Sequence, residues 1–103
     1  MKHFRYSERL GISLPDIQGK WEKIHTDEQE SILIQWEKIR GSIPDQIAKI
    51  EELINAKQEE LNNEENFSRS CQLNAEISEH ASIINDLWLW FRLHQDVSER
   101  VHH

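Results

Sequence analysis

From Ile32 to Leu61 the apolar residues Ile32, Trp36, Ile39, Ile43, Ile47, Ile50, Ile54 and Leu61 follow one another at intervals of 4, 3, 4, 4, 3, 4 and 7. Such a seam keeps one side of an α-helix apolar along its whole length, and a β-strand, whose side chains alternate between faces, cannot use it. The one departure from a heptad, two successive intervals of four, falls beside Pro44, where a stutter absorbs the extra residue. The seam therefore predicts a single long helix over 27–62, kinked or briefly 3₁₀ near 41–44, rather than a reversal at Gly41. A second seam, Leu73, Ile77, His80, Ile84, Leu87, Phe91 and His94, widened by Phe67, Ala81 and Trp88, predicts another long helix over 66–97.

Between the seams lies the wholly polar segment Asn62-Asn63-Glu64-Glu65-Asn66. Asparagine tolerates the left-handed backbone conformation, so this segment suits a tight turn and the two helices an antiparallel hairpin. Pairing about residue 64 sets Ile54 opposite Asn74, Ile47 opposite Ala81, Ile43 opposite Ile84 and Trp36 near Phe91. Only 3 glycines and 2 prolines occur in 103 residues, too few for a sheet protein that must turn every few residues. The expected class is all-α, with residues 1–103 a single domain of modest core.

Ahead of the first seam the tetrapeptide Trp-Glu-Lys-Ile appears at 21–24, and it recurs at 36–39. Ser13-Leu-Pro-Asp16, Thr26-Asp-Glu-Gln29 and Ser42-Ile-Pro-Asp45 each set a hydroxyl three residues before an acidic or amide side chain, the pattern that caps a helix start. Each tetrapeptide then closes the helix before the next cap, its Lys and the following His25 or Arg40 placed where the helix dipole favours cations. On this basis 1–12 form an N-terminal arm and 13–25 a short helix, with Leu14, Ile17, Trp21 and Ile24 as its apolar stripe.

The segment Ile83 to Leu93 carries more apolar surface than one partner helix can cover, since Leu87, Trp88, Leu89, Trp90 and Phe91 surround the helix axis. The short helix is expected to cover one side and a second copy of the chain the other, giving a homodimeric helical bundle; the alternative is a three-helix monomer with a few exposed aromatics. The expected interface comprises Trp88, Trp90, Phe91, Leu87, Ile84, Trp36 and Trp21, and the Trp-rich end is also where another protein partner would dock.

A net charge of −7 opposes nucleic acid and anionic membrane surfaces, and the locally basic stretch 1–25 has an excess of only two cations. No apolar run reaches the roughly 20 residues that span a bilayer, and no signal-peptide core is visible, so a cytoplasmic protein is expected. Cys71 is alone, and a buried small apolar role is expected for it.

Candidate chemistry is sparse. Glu22-Lys-Ile-His25 has the spacing of a di-metal ligand pair, and Glu76, Glu79 and His80 lie within about a turn, but a second such pair is missing. His102 and His103, a terminal pair, carry no metal argument. Glu51, Glu52, Glu76, Glu79 and Asp86 are the carboxylates that a Mg²⁺- or Mn²⁺-dependent nucleotide hydrolase would use, yet Ile83-Ile-Asn-Asp86 stands where a Glu-x-x-Asp is needed. With glycines only at 11, 19 and 41 there is no phosphate loop, and no nucleophile elbow occurs. The expectation is a non-catalytic, self-associating helical protein, an interaction or regulatory module without a cofactor; the alternative is the metal-dependent hydrolase.

Overall fold

The computed structural model describes residues 2–101, with side chains as far as Leu93. Two long helices, α1 (Thr26–Asn62) and α2 (Phe67–Val101), pack against each other, and a small antiparallel sheet of β1 (Phe4–Ser7) and β2 (Ile12–Pro15) lies across them. The helices run antiparallel, as the ladder of contacts from turn to open end shows: Arg69 to Glu60, Lys57 to Glu76, Arg40 to Phe91 and Trp36 to Trp90. Ile32, Trp36, Ile43, Ile47 and Ile50 of α1 are buried, as are Leu73, Ile83 and Leu87 of α2. The first seam thus faces the core as its spacing requires, although the aromatic ring against Trp36 is that of Trp90, at 6.0 Å and edge-on, where the pairing about residue 64 placed Phe91. His94 lies on α2 with its side chain outside the described residues, and His102 and His103 fall outside them altogether.

α1 is helical without interruption through Gly41 to Pro44, so the expected 3₁₀ turn there is absent. Ser42 is not a cap: its hydroxyl donates back to the Ile39 carbonyl at 2.6 Å, the usual use of a serine in a helix interior. Burial of Ile43, Ile47 and Ile50 outweighs the local cost of Pro44, because a break would tear these isoleucines from the core. The second Trp-Glu-Lys-Ile therefore lies inside a helix and ends nothing, and the first forms a single 3₁₀ turn, Trp21–Lys23. Thr26 is the first residue of α1, and the cap is His25, whose ring accepts the Asp27 N–H at 3.2 Å. Gln29 then donates its side-chain amide to the Trp21 carbonyl at 2.8 Å, tying the 3₁₀ turn to the helix start.

Residues 13–25 are not a helix. Leu10, Ile12 and Leu14 are buried while Gly11, Ser13 and Pro15 are less so, the period of a strand, and Pro15 holds Leu14 extended. β1 and β2 pair in the register Phe4–Pro15, Arg5–Leu14, Tyr6–Ser13 and Ser7–Ile12. Gly11 closes the loop at φ 72°, donating its N–H to the Ser7 carbonyl at 2.8 Å. Gly19, at φ 85°, stands where the short helix would have passed. The all-α expectation is corrected accordingly: two long helices plus a two-stranded sheet.

The turn between α1 and α2 works without a left-handed asparagine. Asn63, at φ −107°, donates its side-chain amide to the Glu59 carbonyl, and Asn66 accepts the Arg69 N–H at 3.0 Å as the cap of α2. Both asparagines satisfy helix ends by capping. Arg69 closes the turn with Glu60 at 2.9 Å and Glu76 at 3.9 Å, and the Glu60 hydrogen bond raises its pKa.

Candidate protein interface

The hairpin β1–β2 supplies the cover within the chain that the stripe of 14–25 was expected to provide. Leu10, Ile12 and Leu14 enter one core cluster with Trp36, Ile43, Ile47, Ile50, Ile83 and Leu87. Of the expected stripe only Leu14 is buried, and Ile17, Trp21 and Ile24 are half-exposed. Polar contacts hold the hairpin across both helices. From its loop Arg9 donates to Glu79 at 3.0 Å, to the Ser82 hydroxyl at 3.0 Å and to Asp86 at 2.6 Å. These bonds, that to Asp86 foremost, raise the Arg9 pKa above its ordinary value. On α1, Gln46 donates to the Leu10 carbonyl at 3.2 Å.

At the hairpin root His3 is buried at φ 70°. Its Nδ1 accepts the Gln18 N–H at 2.9 Å, so the ring proton sits on Nε2 and is donated to Glu28 at 3.1 Å. Arg9→Ala is expected to leave both helices intact and to loosen the hairpin. Amide exchange should speed up at Gly11 and Ile12 and stay unchanged in the core of α2, and equal acceleration in both would show that Arg9 is not a local clasp.

Residues two apart on a helix lie about 200° apart around its axis. The stripe Glu79, Ser82, Asp86 under Arg9 and the stripe Ile77, Ile84, Trp88, Phe91 therefore flank the buried Leu73–Leu87 line on opposite sides. One side is roofed by the hairpin and the other is open. On the open side Trp88 is 37 % exposed and Ala81 is exposed, while Ile77, Ile84 and Phe91 are half-buried. Trp88 stands edge-on to Phe91 at 5.5 Å, and the Arg40 guanidinium lies 4.7 Å above the Phe91 ring. Arg40 also donates to Glu37 at 2.8 Å, which raises its pKa, and to the Phe91 carbonyl at 3.3 Å. An apolar surface with a braced aromatic pair and an arginine has the composition that protein interfaces favour.

The expected interface residues divide along these lines. Trp36 and Leu87 are wholly buried within the chain. Trp90 packs on Trp36 and Trp21 sits in the 3₁₀ turn, both half-buried and away from the open stripe. Ile84, Trp88 and Phe91 lie together on the open side. Ala81, counted in the sequence only as widening the seam, joins them, and its interval of 4 from Ile77, 3 to Ile84 and 7 to Trp88 is the signal that marks it.

The carboxylates considered for a divalent cation are engaged elsewhere or apart. Glu79 and Asp86 bind Arg9, Glu76 lies 3.4 Å from Lys57, and Glu51 and Glu52 are exposed on α1. Among the described residues no group of three or more His, Cys, Asp or Glu is placed to hold a metal ion. Cys71 is exposed, contrary to the buried role expected of it. A shallow depression of about 240 Å³ beside His3, Glu28 and Gln35 is smaller than the roughly 300–1,000 Å³ of small-molecule sites. Among the described residues no helix is long and apolar enough to cross a membrane. Comparison with protein-family models, with curated proteins and with solved structures finds no match to this chain.

Proposed function

We propose that the chain is a non-catalytic helical interaction module that acts as a homodimer, associating through the side of the helix pair opposite the hairpin. The observation that carries this is the asymmetry of cover: one side of the α1–α2 layer is roofed by Leu10, Ile12 and Leu14, while on the other Ala81 and Trp88 are exposed and Ile77 and Ile84 are only half-buried. Shape supports it: the radius of gyration is 18.0 Å against about 13 Å for a compact domain of this length, so the helix pair leaves a long side free for a partner. The exposed Cys71 thiol suits a reducing compartment, in keeping with the cytoplasm.

Sedimentation equilibrium tests the proposal. The native chain should be dimeric at tens of micromolar, and Trp88→Glu should be a monomer with unchanged helicity, since Trp88 takes no part in the buried core. A native chain that stays monomeric at several hundred micromolar overturns it.

A further inference from the structure

Resting on that dimer, we infer that the two copies pack α2 against α2 in antiparallel sense, about a two-fold axis passing beside Ile84 and Asn85, with each Trp88 seated over the partner's Ala81. Ile77, Ala81, Ile84 and Trp88 follow one another at intervals of 4, 3 and 4, a second helix-packing seam beside the one that α1 already fills. Its residues differ greatly in size: alanine lies at one end of the Ile84 centre and tryptophan at the other. A parallel pairing sets each residue against itself, so two Trp88 rings collide at one level and two alanines leave a void at another. An antiparallel pairing centred between residues 84 and 85 brings Trp88 level with Ala81 twice over, large on small, which fills the layer evenly.

The axis near Ile84 also centres the contact on the stretch of the helix pair whose other side the hairpin occupies. Each protomer is then a layer of two helices held between its own strands and its partner's helices.

Crosslinking with a short bismaleimide distinguishes the arrangements, because a two-fold antiparallel pair brings only near-axis positions close to themselves. Asn85→Cys on a Cys71→Ser background should crosslink into dimers, and the native chain, whose Cys71 lies far from the axis, should not. Crosslinking through Cys71 overturns the antiparallel sense. Failure of Asn85→Cys in a sample that sediments as a dimer overturns the placement of the axis while leaving dimerisation standing, and a monomeric native chain overturns the dimer itself. As a second reading, Ala81→Trp fills the seat of Trp88 and should weaken the dimer on the order of tenfold to a hundredfold with helicity unchanged. A dimer of unchanged affinity would show that Ala81 receives nothing.

Discussion

Pro44→Ala raises the stability of the folded chain, by up to about 3 kcal/mol, the cost of a proline in a helix interior. Pro44 lies inside α1 and is exposed, so the substitution removes no core contact. Alanine restores an N–H that can donate to the Arg40 carbonyl and withdraws a ring that crowds it. It also relieves Ile43, which is fully buried and helical although the residue before a proline prefers an extended backbone. Urea denaturation gives the difference, and slower amide exchange over residues 44–48 locates it. A loss of stability on replacement would show that the proline shapes α1 to fit the hairpin lying across it, at a cost smaller than the gain from that fit.

Trp36→Ala loses about 3–5 kcal/mol, the range for emptying a large aromatic site in a core. Trp36 is 1 % exposed, belongs to the cluster shared by hairpin and helices, and meets Trp90 edge-on. Against a total stability of about 5–15 kcal/mol for a domain, such a loss moves the unfolding midpoint to a much lower urea concentration, read by circular dichroism at 25 °C. Trp36→Phe should lose much less than its lost volume suggests. The indole Nε1 is buried without a hydrogen-bond partner, and phenylalanine discards that unsatisfied donor while keeping an aromatic ring against Trp90. If Phe and Ala prove equally damaging, the indole shape itself, and not the buried apolar area, supports the site.

The long helices are legible in the sequence because their seams repeat over many turns, and a break would expose several isoleucines at once. The hairpin is not, because its alternation runs only through Leu10, Ile12 and Leu14, while Ser13-Leu-Pro-Asp16 imitates a helix start with equal local merit. Residues from α1 and α2 decide between the two, by offering Leu14 a place in the core only if it points there from a strand. The same holds at the Trp-rich end. Trp88 and Trp90 sit about 200° apart on one helix, and nothing in α2 alone says which turns inward. Packing on Trp36 claims Trp90, and Trp88 is left to solvent. The excess of aromatic surface was readable in the sequence; its outward member depended on the positions of the other two elements.

The clasp from Arg9 to Glu79 and Asp86 joins residues separated by 70 and 77 positions in the chain. The turn at Asn62–Asn66, in contrast, brings α1 and α2 together through neighbours such as Glu60 and Arg69. Closing the longer loop costs more chain entropy, and contacts of short sequence separation form sooner. The two strands therefore have little to hold them until both helices are paired, and their docking is expected late in folding, with the Gly11 and Ile12 amides gaining protection after those of α1 and α2 in pulsed hydrogen exchange. Until then the core side chains that Leu10, Ile12 and Leu14 will meet lie bare, a transient apolar surface on the paired helices that the finished chain covers from within.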